Sequence, residues 1–290
     1  MANRGAAPKH AIFFALAAVV AAPAFAQTAP AVGNPVRLPV PANPKLPTLF
    51  LIGDSTVRNG RGDGANGQWG WGEPLADFFD AAKINLVNRA MGGRSSRTYL
   101  TQGQWDGVLE MLKPGDFVVM QFGHNDGGPL DDTARARGTL KGIGDETREI
   151  DNPITEKHEV VHTYGWYLKK FIADARAKGA APILCTLIPR KTWEDGRIVR
   201  NKADYAGWAA EVAEAAKVPL VDLNEIVARR YDEVGPEKVE PLFADPHTHT
   251  SRAGAELNAE CVIAGLKGLA ANPLAPFFSE KAKAVAPYSQ

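Results

Sequence analysis

The run Leu49-Phe50-Leu51-Ile52-Gly53-Asp54-Ser55-Thr56 sets the architecture of the chain: four apolar residues lead straight into Gly-Asp-Ser-Thr. A short apolar run bounded by turn residues reads as a strand buried on both faces, and such strands belong to parallel sheets. In open parallel α/β sheets, ligands bind just beyond the carboxyl ends of the strands. The turn after Ile52 therefore presents one hydroxyl, that of Ser55, where a nucleophile is wanted. Turn chemistry alone also favours Gly, Asp and Ser. The reading then depends on whether the chain supplies a base, a group to orient it, and donors for a developing oxyanion.

Working outward, apolar runs alternate with amphipathic ones. Strands are expected at Thr48–Gly53, Asn85–Ala90, Asp116–Phe122, Ala181–Ile188 and Pro219–Leu223. Helices are expected at about 73–82, 161–178, 202–216 and 251–269, with Ser251 or Thr250 as cap of the last. This alternation predicts an α/β fold with a five-stranded parallel sheet between helix layers. Right-handed crossovers then bring every strand's carboxyl end to one rim. Asp126–His158 breaks the rhythm: it has no clear period and is punctuated by Gly127-Gly128-Pro129, Gly142, Gly144 and Asn152-Pro153. Leaving the third strand at the ligand rim, it is read as a substrate-shaping loop.

Residues 1–26 have the pattern of a secretory signal. Arg4, Lys9 and His10 precede the apolar run Ala11–Ala22, and Ala24-Phe25-Ala26 fits a cleavage site. The apolar run is short for a membrane span. The expected organisation is a leader over 1–26, a Pro/Ala-rich linker over 27–46, one domain over 47–271, and a C-terminal tail over 272–290. The mature protein is expected to be exported, periplasmic or secreted, off the membrane after cleavage, and monomeric. The 33 basic and 33 acidic residues balance, so nothing points to nucleic acid. Cys185 and Cys261 are expected to be buried thiols, a disulfide being the alternative for an exported chain.

The strand ends carry the chemistry. The second strand runs into Met91-Gly92-Gly93-Arg94-Ser95 and the third into Gly123-His124-Asn125-Asp126. Glycines let a backbone N–H approach a ligand, and an asparagine can aim its amide at an oxyanion. The Ser55 and Gly93 N–H groups with Asn125 would make three donors. Asp245-Pro246-His247-Thr248-His249-Thr250 lies just before the last helix. His249 is placed to take a proton from Ser55 if this loop folds over the rim, and a nearby Asp could hold its tautomer.

Gly53-Asp54-Ser55, Gly93, Gly123-His124-Asn125-Asp126 and His249, in that order, resemble the four blocks of the SGNH (GDSL-type) hydrolases. The Gly-Gly-Arg-Ser and Gly-His-Asn-Asp variants look specifically like those of rhamnogalacturonan acetylesterases and related carbohydrate acetylesterases. The resemblance spans most of residues 48–268. It implies a flavodoxin-like three-layer α/β/α fold and hydrolysis of acetyl esters on plant polysaccharide without cofactor or metal. It implies Ser55 as nucleophile, His249 as base, and Ser55, Gly93 and Asn125 as oxyanion hole. One departure stands out. The family's acidic residue lies three positions before the histidine, where this chain has Pro246. Either Asp245 still reaches His249, or a backbone carbonyl replaces it. Asp54, Arg94 and His124 are candidate substrate contacts.

Rival readings remain. His247 and His249 with Asp245 could hold Zn²⁺. Gly62-Asp63-Gly64-Ala65-Asn66-Gly67 matches a dinucleotide fingerprint in letters but does not directly follow a strand. Trp69, Trp71, Trp166 and Trp193 could stack on sugars in a non-catalytic carbohydrate-binding relic. A lipase or thioesterase would want an apolar acyl pocket, which the blocks do not suggest. Arg58, Arg94, Arg97, Arg190 and Lys191, at or just past strand ends, would suit a uronate-containing glycan.

Overall fold

Alternate residues of the first strand feed two different cores. The computed structural model of the chain describes residues 1–2 and 38–289. Strand β1 (Thr48–Gly53) is buried throughout. Leu49 and Leu51 pack to one side of it, Phe50 and Ile52 to the other. Side chains on a strand alternate faces, so a run apolar at every position needs cover on both. Beside β1 lie β2 (Asn85–Asn88) and β3 (Phe117–Gln121). The sheet is completed by β6 (Ala181–Cys185) and β9 (Leu220–Val221). Its order is β2-β1-β3-β6-β9, and every pairing is parallel. Counting only these strands, this is the flavodoxin-like order 2-1-3-4-5, whose switch point falls between the first and third strands.

One face is covered by α1 (Ser96–Thr101), α2 (Asp106–Leu109), α3 (Tyr164–Ala177) and α4 (Tyr205–Ala216). Tyr99, Trp105, Leu168, Phe171 and Val212 meet the sheet there. The other face is covered by α5 (Leu223–Val234) and α7 (Arg252–Gly268), through Ile226, Val227, Val262, Ile263 and Leu266. Two short helices, α6 (Pro236–Val239) and α8 (Glu280–Lys283), complete the set. The three-layer α/β/α architecture is the one expected.

Several boundaries differ for local reasons. The helix expected at 73–82 is a 3₁₀ segment, Pro74–Phe78, because Phe79 leaves it to bridge Phe278. The fifth strand is short: Asp222 leaves it to cap α5, accepting the Glu225 N–H. The tail boundary at 271 is corrected. Leu274 and Ala282 are fully buried, and the rings of Phe277 and Phe278 pack on Phe117 and Phe79. The Pro/Ala-rich composition hides these apolar anchors, which make residues 272–289 part of the domain. Of the expected leader and linker, residues 3–37 lie outside the described residues. Residues 38–46 are irregular, as expected, yet held down: Asn43 N–H donates to Asn85 Oδ1, and Lys113 donates to the Pro44 and Leu46 carbonyls. Among the described residues no helix is long and apolar enough to cross a membrane. Cys185 and Cys261 are buried and free, and burial pushes both thiols up to about 12.

The segment without period holds an antiparallel hairpin, β4 (Thr147–Asn152) with β5 (Lys157–His162). A smaller one pairs β7 (Trp193–Glu194) with β8 (Arg197–Ile198). The first hairpin is anchored by Arg97, which is fully buried on α1. Arg97 Nε and Nη2 donate to both Glu159 oxygens at 2.7 Å, and Nη1 donates to the Leu130 and Gly138 carbonyls. Arg97 therefore ties helix, loop and hairpin together and does not line the cleft at Ser55. Glu159→Ala leaves that guanidinium buried without its carboxylate. Two carbonyl partners remain, so the expected loss is about 3 kcal/mol of unfolding free energy, read from urea denaturation.

Candidate active site

The serine turn is built to be rigid. A Cβ on Gly53 would meet the Gln121 carbonyl at 2.5 Å, so glycine is needed where β1 turns away beside β3. The Asp54 carbonyl accepts the Val57 and Arg58 N–H groups, and Asp54 Oδ1 accepts both the N–H and the hydroxyl of Thr56. Behind the turn, Trp71 Nε1 donates to Gln121 Oε1, and Gln121 Nε2 donates to Thr56 Oγ1. Buried hydrogen-bond networks of this kind help to fix one geometry, although Asp54 Oδ2 is left without a partner. Ser55 rides on top, 6% exposed.

The loops after β2 and β3 are stitched to each other. Gly93 has φ +78°, a left-handed conformation that favours glycine. Its carbonyl accepts from Arg137 Nη1 at 3.0 Å. Asn125 Nδ2 donates to the Arg94 carbonyl at 2.8 Å, which orients the amide and leaves its second N–H free for another acceptor. Asp126 Oδ1 accepts the Ser96 N–H and hydroxyl at 3.0 and 2.5 Å. Burial still pushes the Asp126 carboxyl up to about 7, against those two bonds.

The histidine loop closes over the same rim. Ala244 N–H donates to the His249 carbonyl, and Thr250 pairs through its backbone and hydroxyl with Trp69. Inside the loop, Asp245 Oδ1 accepts the N–H groups of His247, Thr248 and His249 at 3.1, 2.7 and 3.0 Å. Its Oδ2 lies 2.5 Å from His249 Nδ1, and His249 Nε2 lies 2.9 Å from Ser55 Oγ. Of the two alternatives the sequence left open, the geometry takes the first: Asp245 reaches His249. Burial would raise the Asp245 pKa, but the Thr248 and His249 N–H groups, the imidazole and the His247 N–H outweigh it and hold it at about 2. A carboxylate beside Nδ1 keeps the proton there and leaves Nε2 free to accept from the serine.

Ser55, Gly93, Asn125 and His249 line one cleft of about 330 Å³. His124 lines it too, and burial lowers its imidazole pKa. Asp54 does not: it is fully buried beneath the turn. Arg94 lines a neighbouring cleft rather than this one. Arg58 and Lys191 are paired elsewhere, with Glu73 and Glu240. None of the four tryptophans lines the serine cleft. Trp71 is a core residue, and Trp166 stacks on His162. His247 Nδ1 meets the Thr248 hydroxyl, and among the described residues no three His, Cys, Asp or Glu side chains gather as a metal ligand set.

A Ser–His–Asp relay at the switch point of a flavodoxin-like sheet can perform acyl transfer. The profile of the GDSL-like lipase/acylhydrolase family matches residues 51–257. The chain belongs to that family. This GDSL-like chain is a carboxylic ester hydrolase. It is 32% identical over 217 residues to a rhamnogalacturonan acetylesterase of Emericella nidulans, covering 74% of this chain and 83% of that one. It is 34% identical over 226 residues to a Bacillus subtilis protein named "Probable rhamnogalacturonan acetylesterase YesY", covering 76% and 93%. Among solved structures, the YxiM protein of Bacillus subtilis superposes with a TM-score of 0.61 at 26% identity, over 77% of this chain and 56% of that one. An acetyl-xylooligosaccharide esterase variant, Axe2 of Geobacillus, shares the GDSL-like fold with a TM-score of 0.51 at 19% identity, over 76% and 93%.

Besides Asn59 and Thr248, sequence reasoning missed two arginines lining the cleft, Arg135 and Arg137. These two are the charged ones. They sit in the aperiodic 126–158 segment. Their only signal was charge in a loop leaving the ligand rim.

Proposed function

We propose that this hydrolase removes acetyl groups from an acetylated plant polysaccharide, with rhamnogalacturonan as the backbone, through an acetyl-serine intermediate. The observation that carries the reading is the Ser55–His249–Asp245 relay opening into a small cleft lined mostly by polar and charged side chains. The two relatives named for rhamnogalacturonan acetylesterase activity support the substrate class. Export through residues 1–26, and action as a monomer, belong to the same proposal, since such a polymer lies outside the cell.

Ser55 Oγ attacks the acetyl carbonyl while His249 Nε2 takes its proton. The oxyanion accepts from the Ser55 and Gly93 N–H groups and from Asn125. His249 then protonates the departing sugar hydroxyl. Water, deprotonated by the same imidazole, attacks the acetyl-enzyme and releases acetate and free Ser55. Asn125→Ala removes one of three donors, so kcat is expected to fall by about 10²–10³-fold with KM little changed, measured on a small acetyl ester.

The deciding experiment compares acetate release from acetylated rhamnogalacturonan, acetylated xylan and a small acetyl ester. Preference for the first supports the proposal. A rate that climbs from acetyl to octanoyl esters would instead favour a lipase.

A further inference from the structure

On the proposed mechanism the oxyanion donors come partly from two loops that are not neighbours in the sheet. Gly93 follows β2 and Asn125 follows β3, and the order β2-β1-β3 puts β1 between those strands. The sheet's own ladder therefore does not set the spacing of the two loops. Yet donors must meet one developing oxyanion at about 2.7–3.1 Å. Contacts above the sheet have to fix that spacing.

Residues following β3 stitch the two loops together almost position by position. Arg137 Nη1 donates to the Gly93 carbonyl, Asn125 Nδ2 to the Arg94 carbonyl, and Arg97 Nη1 to the Leu130 and Gly138 carbonyls. Asp126 stands apart among these. It is fully buried and lines neither the serine cleft nor the neighbouring one. One oxygen, Oδ1, accepts both the N–H and the hydroxyl of Ser96, at 3.0 and 2.5 Å. Its backbone is pinned too: its N–H donates to the Gly123 carbonyl, and its carbonyl accepts the Thr139 N–H. Asp126 adjoins Asn125 in the chain, and Ser96 lies three residues after Gly93. The Ser96 contact therefore closes a short ring that contains both donors.

This link is costly. Asp126 Oδ2 is buried and has no partner among the described residues. Burial pushes the carboxyl pKa up and the charge of Asp54 adds to it, against the pull of the two Ser96 bonds. A site that needed only packing would hold an apolar side chain, because a buried carboxylate is unfavourable unless it is well bonded. Nor is Asp126 the N-cap of α1, since Ser95 already accepts the Thr98 N–H. Its two bonds serve the spacing of the loops.

Resting on the acyl-transfer mechanism above, we infer that Asp126 is a positioning residue for the oxyanion hole: through Ser96 it holds the Gly93 N–H and the Asn125 amide at the spacing that one oxyanion requires. It touches no substrate. Without the link both donors are still present but misaligned, which costs the transition state and not the bound ester.

The test measures kcat and KM separately on a small acetyl ester. Asp126→Ala is expected to lower kcat about 10²-fold, the effect of a misplacement of about 1 Å, with KM within about twofold. Asp126→Asn keeps an acceptor for both Ser96 donors and is expected to stay within about tenfold of wild type. In an Asn125→Ala background one of the aligned donors is already gone, so Asp126→Ala is expected to cost much less there. Ser96→Ala keeps the carboxylate and loses the shorter bond, with an expected fall in kcat of about three- to tenfold. That variant carries the test even if Asp126→Ala does not fold. Unchanged kcat in Ser96→Ala overturns the inference and leaves the acetylesterase reading intact. So does a raised KM at constant kcat in Asp126→Ala, an equal loss in the asparagine and alanine variants, or full additivity with Asn125→Ala. Failure of the wild-type protein to release acetate from any acetyl ester would overturn the proposed function, and this inference with it.

Discussion

Ser55→Ala is expected to lower kcat on acetyl esters by about 10⁵–10⁶-fold, with the fold and thermal midpoint essentially unchanged. The hydroxyl contributes little to the core, since the turn is held by Asp54, Thr56 and Gln121 rather than by the serine side chain. On the proposed mechanism, what disappears is the nucleophile, and with it the two-step path through an acyl intermediate. His249→Ala should cost nearly as much, and the double variant little more, because nucleophile and base act as one unit. The residual rate would come from the donors that remain, the N–H groups of residue 55 and Gly93 and the Asn125 amide, acting on direct attack by water. Titration with a slow acetyl donor gives an independent readout: wild type should retain one acetyl group per chain on Ser55, and the variant none. A Ser55→Ala protein with a tenth of wild-type activity would remove Ser55 from the mechanism.

The parts of this site legible in the sequence are those fixed by local backbone chemistry. Leu49–Ile52 could be read because a strand buried on both faces must be apolar at every position. Gly53 and Gly93 could be read because close approach and positive φ leave few other choices. The β4–β5 hairpin was hidden because its strands, Thr-Arg-Glu-Ile-Asp-Asn and Lys-His-Glu-Val-Val-His, carry no alternating apolar face. Its order comes from tertiary contact, chiefly Arg97 with Glu159. Helix α5 was overlooked although its signals were present: Asp222 with Glu225 three residues on, and Gly235 at its end. Arg97 and Arg135 illustrate the limit most directly. Both are arginines near the same rim. Only folding decides that one is locked inside with Glu159 and the other left unpaired at the cleft.

Asp245 carries the second large effect, and two substitutions separate its duties. Asp–Pro at the start of a turn suits the chain there, since Asp favours the first position and Pro pre-sets the next. With no N–H of its own, Pro246 leaves Asp245 Oδ1 to the three N–H groups that follow. A spacing of four residues puts Asp245 and His249 on one side of the turn, which is how the one-residue shift from the family pattern is absorbed. Asp245→Ala removes both the loop's acceptor and the partner of Nδ1. With the folded pKa held near 2 and the unfolded one near 3.9, the carboxylate contributes about 2 kcal/mol. That contribution is fully present above pH 4 and fades as pH falls toward 2. Asp245→Asn keeps an oxygen for the three N–H groups, so it should destabilise less than alanine. Its amide, however, offers N–H to Nδ1. The imidazole must then carry its proton on Nε2, where it can no longer accept from Ser55. The expected result is an inversion: the asparagine variant is the more stable of the two, yet loses about 10³–10⁴-fold in kcat, at least as much as the alanine variant. Chemical denaturation at pH 7 and at pH 3, alongside initial rates, would show it. Activity within twofold of wild type in either variant would assign the orientation of His249 to another group.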